Sequence, residues 1–285
     1  MLFLHVGLPK TGTTFMQNVV FPKWRGVTYL VSGNFEHLLL MEEGERYLIS
    51  REGLLKSHNF SLQETRARRM ARLSKIFPEA RILISFRRHA AFIVSCYRQY
   101  LQKGGRHTFE KYFDVDGDGG VLRREEFLFR RELESIDDSF RHKPFVFCQE
   151  EIKENLPNLL RDLEAFMGGE APDPESLRFK AHNKSVGYYP AKLLRRINML
   201  TRSPLNPSGR LDLYSRRLSR LNLDPKSLCQ YGLSFLPDRP FISDELRGRI
   251  DSFYADDWDY IQSRVRARLE SNQDFAHESA VHARL

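Results

Sequence analysis

Apolar and polar positions fall in alternating blocks from the first residues of the chain. Leu2, Phe3, Leu4 and Val6 make a compact run of the buried-strand type, interrupted only by His5. After a short turn, Phe15, Met16, Val19 and Val20 recur at helical spacing, so the chain opens as strand, loop, helix. Val27 to Val31 and Tyr47 to Ser50 read as two further strands, separated by Asn34-Phe35-Glu36-His37 and the apolar run Leu38 to Met41. Leu62 to Phe77 is an arginine-rich amphipathic helix ended by Pro78. Arg81 to Phe86 is a core strand that stops on Arg87 and Arg88 and leads into a helix over His89 to Leu101. A short Phe109 to Phe113 segment, a strongly helical Arg123 to Phe140 and a strand over Phe145 to Glu150 follow. The stretch from Ser203 to Pro240 is rich in Pro, Asn and Gly; a helix then starts at Ser243 and runs to about Leu269, with fraying expected beyond Glu270. The alternation predicts an α/β fold with an open parallel sheet flanked by helices over 1–185 and a largely helical portion over 186–285, together one domain.

The chemistry concentrates in the first turn, Gly7-Leu8-Pro9-Lys10-Thr11-Gly12-Thr13-Thr14. Backbone amides left open at Gly12, the ammonium of Lys10 and three threonine hydroxyls meet at the positive end of the following helix, which is the composition of a phosphate site. Gly7 and Gly12 have the separation of a GxxxxGK[ST] nucleotide loop, but Thr13 stands where its lysine belongs, and the lysine has moved to position 10. The sheet is therefore expected to be P-loop-like without a triphosphate loop. The run Pro9-Lys10-Thr11-Gly12-Thr13-Thr14 after a short strand resembles the 5′-phosphosulfate-binding loop of the sulfotransferases. That resemblance implies 3′-phosphoadenosine 5′-phosphosulfate (PAPS) as donor, adenosine 3′,5′-bisphosphate as product, and Lys10, Thr11, Gly12, Thr13 and Thr14 as donor-binding residues.

A second stretch strengthens the first. Arg87 ends a core strand, where a cation is costly without an anion, and Ser95 follows eight residues on, about two turns into the next helix. The pair is similar to the sulfotransferase element that holds the donor's 3′-phosphate; a guanidinium offers a bidentate fork there. Ile49-Ser50-Arg51-Glu52 resembles a Ser-Glu element of bacterial sulfotransferases, with Arg51 in place of the usual serine. Glu150 or Glu151 stands where that group has a structural acid, and His182-Asn183-Lys184-Ser185 resembles a polar loop before its Leu193 to Asn198 helix. About two-thirds of the chain follows this outline. Ligands of parallel α/β sheets bind beyond the carboxyl ends of the strands, so Glu52 is the expected general base, with His37 as the second candidate and Lys10 neutralising the leaving phosphate. The acceptor implied is a hydroxyl or amine of a carbohydrate, glycolipid or small molecule, and its specificity is expected to lie within Tyr188 to Pro240.

Charge and cysteine content narrow the setting. The net charge of +8 implies an anionic partner, and Lys192 to Arg220 carries eight cations against Asp212 alone. With Tyr214 the one aromatic among them, nucleic acid is not expected; an acidic acceptor or the surface of an anionic membrane is, as is a plain solvated face. Hydrophobic residues make up 41% of the chain, enough for a proper core, yet no segment approaches ~18 consecutive apolar residues and the first 25 hold no secretory h-region. Cys96, Cys148 and Cys229 are unpatterned and suit a reducing cytoplasm, as small buried hydrophobes. Asp114, Asp116, Asp118 and Glu125, with Gly119, satisfy the spacing of a calcium loop, D-x-[DN]-x-[DN]-G-x5-E, and are candidate ligands for a structural calcium ion; an exposed acidic turn is the competing reading. Two other functions remain open: a P-loop kinase using ATP and magnesium, against which the strand ending on arginines instead of aspartate counts, and a polyanion-binding protein without catalysis. The sequence leaves the oligomeric state open.

Overall fold

A computed structural model describes residues 1–30, 41–51, 63–177, 186–214, 218, 220–221 and 223–282, with the side chains of 63–66 and 269–282 left aside. His37, Glu52, Arg216, Arg217 and the loop 182–185 lie outside these residues. The chain divides into two compact units, neither of them continuous in sequence. One comprises Met1–Arg88, Leu128–Phe179 and Tyr254–Leu285; the other comprises His89–Phe127 and Lys180–Phe253.

The first unit holds the sheet. Strands β1 (Leu2–His5), β2 (Thr28–Leu30), β3 (Tyr47–Ser50), β4 (Arg81–Phe86) and β5 (Phe145–Cys148) lie in the order β2-β3-β1-β4-β5, all parallel. Helix α1 (Thr13–Phe15) continues without a break through Met16–Val20 and Phe21–Lys23. Because strand side chains alternate between faces, Phe3, Leu48, Leu83, Phe145 and Phe147 share one side. There they form a core with Phe15, Met16 and Phe21 after the loop and with Leu160 and Leu163 of α7 (Leu156–Met167). On the opposite side of β4, Phe86 packs on Phe129, with ring centroids 5.0 Å apart, at the start of α5 (Arg130–Ser139), and α5 packs on α2 (Gln63–Ile76). The chain leaves β1 toward β2 and leaves β4 toward β5. The crevice beyond the ends of β1 and β4 is thus the topological switch point, where ligands of open α/β sheets bind.

The second unit packs α3 (His89–Gln102) against α8 (Tyr188–Leu200), with the short α4 (Phe109–Tyr112) completing an aromatic cluster of Tyr97, Tyr100, Phe109 and Tyr112. Buried Asn198 donates Nδ2–H to the carbonyls of Leu101 and Gly105, both at 2.8 Å, and its backbone carbonyl accepts from Asn206 Nδ2 at 2.9 Å. These side-chain bonds satisfy turn carbonyls that no regular element pairs.

Two expected helices are each broken in two. Arg123 to Phe140 becomes a 3₁₀ turn, Arg124–Phe127, followed by α5. Between them the buried carboxylate of Asp257 accepts from the amides of Phe129 and Arg130, at 2.8 and 2.9 Å, and starts a new helix. The helix from Ser243 likewise divides into Asp244–Phe253 and Ala255–His282. Both breaks fall where the chain passes from one unit to the other, a change of partners that helical periodicity does not record. The backbone stays helical to His282, beyond the expected fraying point. Gln149 opens helix α6 (Gln149–Glu154), so the last expected strand ends at Cys148.

Candidate functional site at the carboxyl ends of β1 and β4

The loop Val6 to Gly12 turns over the end of β1 and is tied to β4 and the residues after it. Val6 donates its amide to Leu83 O at 2.9 Å, Thr11 Oγ1 lies 2.7 Å from Ser85 Oγ and donates to Leu8 O at 2.6 Å, and Arg87 Nη1 donates to Lys10 O at 3.3 Å. Lys10 and Gly12 both have positive φ, 72° and 93°. For lysine this left-handed conformation is uncommon and persists where the surroundings hold it.

The glycines serve packing more than ligand clearance. A Cβ at Gly7 would lie 2.1 Å from Thr13 Cγ2, and one at Gly12 would lie 2.6 Å from Ile152 Cδ1 of α6. Gly12 caps the helix, its carbonyl accepting from Phe15 and Met16 at 3.0 and 3.3 Å, so the first turn after it presents amides at a helix N-terminus. Of the three hydroxyls, that of Thr11 is buried and committed to the loop and to Ser85, Thr13 is buried, and Thr14 is exposed. Lys10 and Arg87 are half-buried, so two cations border the loop.

Beneath the loop lies a polar network that the sequence pattern does not announce. His5, fully buried at the end of β1, places Nδ1 2.6 Å from Ser50 Oγ at the end of β3, and Gln17 Nε2 donates to Ser50 Oγ at 3.0 Å and Ser50 O at 3.2 Å. His5 Nε2 has no hydrogen-bond partner among the described residues. Burial alone pushes the His5 imidazole down to about 3, so it stays neutral in the fold at any pH near neutrality. The sign of the linkage is definite: below pH ~6.5 the unfolded chain takes up a proton that the folded chain refuses, so stability falls by about 1.4 kcal/mol per pH unit until the folded value is reached. Urea unfolding at pH 7.5 and 5.0 is expected to show the natural chain losing about 2 kcal/mol more than the His5→Gln variant; equal losses would contradict this assignment.

On the β5 side, Glu150 Oε1 accepts from the amide of Arg88 at 3.1 Å, while Glu151 accepts from Cys148 N at 2.7 Å and pairs with Arg268 at 2.7 Å. Both acids are thus engaged with the fold, Glu150 through an amide after β4 and Glu151 through an amide and a buried cation. Ser95 is half-buried on α3, in the second unit. Both candidate bases, Glu52 and His37, lie outside the described residues; the Arg51 amide just before Glu52 donates to His5 O at 3.1 Å. Cys96, Cys148 and Cys229 are buried thiols, and burial raises the Cys148 thiol far above its ordinary range, which suits an inert packing residue.

The acidic loop of the second unit is built as a self-capped turn. Asp114 accepts from the amides of Asp116, Gly117 and Gly119 at 3.1, 3.0 and 3.3 Å, bonds that hold its carboxyl below the usual range. Asp116 pairs with Arg249 at 2.5 Å, and Asp118 accepts from Arg124 N at 2.7 Å. Glu125 sits in the 3₁₀ turn, and among the described residues no group of three or more His, Cys, Asp or Glu side chains is placed to hold a metal ion. The spacing of a calcium loop is present, but the carboxylates are engaged with amides and arginines instead of converging.

No protein-family model and no curated protein matches the chain. Among solved structures it is similar to mouse sulfotransferase SULT7A1 complexed with PAP, at 14% identity over 90% of this chain and 83% of that one, with a TM-score of 0.41. It is also similar to a sulfotransferase from Alicyclobacillus acidocaldarius, at 17% identity over 60% of this chain and 77% of that one, with a TM-score of 0.37. At these scores the likeness carries no argument of its own, and function has to be argued from the residues at the ends of β1 and β4.

Proposed function

We propose that the chain is a sulfotransferase that moves a sulfuryl group from PAPS to a hydroxyl or amine of a carbohydrate, glycolipid or small-molecule acceptor. The observation that carries this reading is the pairing, at the switch point, of a loop with its lysine at position 10 with a strand followed at once by Arg87, whose guanidinium reaches the loop. Two cations and a helix N-terminus there fit a ligand with two separate anionic groups. A kinase would be expected to carry an aspartate for magnesium at the end of the strand beside the loop, and β4 ends on Phe86 with Arg87 and Arg88 after it.

In the proposed reaction the acceptor oxygen or nitrogen attacks sulfur in line, the bond from sulfur to the bridging phosphate oxygen breaks, and adenosine 3′,5′-bisphosphate leaves. Lys10 and the amides after Gly12 would neutralise charge that grows on the bridging oxygen, where preorganised donors act most strongly. Arg87 would hold the 3′-phosphate, with Ser95 assigned to the same phosphate on the sequence resemblance and tested by its own alanine variant. Glu52, or His37, would take the acceptor's proton. Incubation with 35S-labelled PAPS and a panel of carbohydrate, glycolipid and small-molecule acceptors tests the reading. Labelled product formed in equal amount with adenosine 3′,5′-bisphosphate supports it, and γ-phosphate transfer from ATP in place of sulfuryl transfer would overturn it. In the active reaction Glu52→Gln is expected to lower kcat at least a hundredfold with nucleotide affinity unchanged; if His37→Gln does so instead, the base is His37.

A further inference from the structure

Helix α8 is turned with much of its apolar surface outward. Its buried face is Pro190, Ala191, Leu194 and Asn198, while Leu193, Met199 and Leu200 are 43%, 56% and 57% exposed. Lys192 and Arg196 are exposed as well, and at 3.6 residues per turn positions 192, 193, 196, 199 and 200 fall within about a third of the helix circumference. The face continues past the helix end: Leu200 O accepts from the amides of Arg210 and Leu211, at 2.8 and 2.9 Å, which brings exposed Arg210 and the 46%-exposed Leu211 alongside. In the same unit, Leu228 and Tyr231 of the helical turn Leu228–Gly232, which packs on α8, and Phe235 beyond it are exposed as well.

The charge around these side chains has one sign. Over 188–235 the exposed described cations are Lys192, Arg196, Arg202, Arg210, Arg220 and Lys226, against exposed Asp212; the second acid, Asp224, is buried and caps Ser227. A large exposed apolar group edged by cations is the pattern of a surface-lying amphipathic element, with aliphatic side chains for the acyl boundary and Lys and Arg for anionic headgroups. A second copy is a poor occupant, because pairing like faces would bring two cationic rims together. Nucleic acid is poorer still: Leu193, Met199, Leu200 and Leu211 make the α8 face itself aliphatic, without a ring on which a base could stack, and Tyr214 donates its hydroxyl to Asn198 Oδ1 at 2.8 Å, inside the unit.

We propose that the outward face of α8, with Leu211, is a peripheral binding surface for anionic lipid bilayers. This is independent of the enzymatic reading and concerns this unit alone. Co-sedimentation of the full chain with vesicles of phosphatidylcholine, and of phosphatidylcholine with 30% phosphatidylglycerol, is the test. Binding to the anionic vesicles is expected, at least tenfold weaker on neutral ones and weakened by 0.5 M NaCl. The double variant Met199→Glu/Leu200→Glu, at exposed positions, is expected to lower the partition at least tenfold with an unchanged Tm. Equal partition of natural and variant chains, no preference for anionic vesicles, or a dimer in sedimentation velocity that the double variant splits would each overturn the proposal; the salt and lipid comparison on the natural chain decides even if the variant fails to fold.

Discussion

Arg87→Ala is expected to lower kcat/KM for sulfuryl transfer about a thousandfold, the upper end for removing one charged donor from a preorganised site. Two losses combine. The guanidinium donates to Lys10 O at 3.3 Å, so its removal takes away both an anion partner and a tie to the backbone of Lys10, which has a left-handed conformation. Arg87→Lys separates them, since it keeps the charge and gives up the fork, and should recover part of the loss. The Lys10→Gly variant complements it: glycine accepts φ 72° without strain, so the loop is kept and only the ammonium is lost. Steady-state kinetics on the three variants checks the account, and an Arg87→Ala enzyme within threefold of the natural one would contradict it.

The second large effect is on stability. Arg268, on the last helix, is buried; it donates to Val146 O of β5 at 2.7 Å, pairs with Glu151 at 2.7 Å and Asp162 at 3.1 Å, and lies 4.6 Å over the ring of Phe145. It therefore joins the last helix to β5, α6 and α7. Removing one partner of a buried ion pair leaves uncompensated charge, and here two carboxylates lose their cation together. Arg268→Ala is expected to destabilise the fold by about 3 kcal/mol in urea unfolding. Arg268→Met, which restores packing volume but no charge, should recover less than half. A loss under about 1 kcal/mol would show that the carboxylates find other partners or water.

Much of the first unit was legible because its signals are local. Tyr47–Ser50 and Arg81–Phe86 are short apolar runs bounded by charge, and the strand, loop and helix at the start have their periods and punctuation within twenty-three residues. What was not legible depends on contacts distant in sequence. Asp257 starts α5 from 128 residues away, and no periodicity in Arg123 to Phe140 records it. The calcium pattern was a matter of spacing alone; the partner of Asp116 is Arg249, 133 residues on. At the site, the strand-loop-helix pattern puts Lys10 and Gly12 in the loop and Arg87 beside it, whereas the inward turn of the Thr11 hydroxyl to Ser85 depends on a residue 74 positions away. Buried His5 and Ser50, which bond to each other, and Ser85, which bonds to Thr11, had a signal beyond hydrophobic periodicity that could have been used. Each is a polar residue inside or ending a strongly apolar strand, and such residues are buried only with a partner.

The central claim is that the crevice beyond β1 and β4 binds a nucleotide carrying separate 5′- and 3′-phosphate groups. Isothermal titration of the purified chain with adenosine 3′,5′-bisphosphate, alongside ATP with magnesium, tests it most directly. The account predicts micromolar binding of the bisphosphate that Arg87→Ala abolishes. Binding of ATP with magnesium in its place, with the bisphosphate inert, would contradict it.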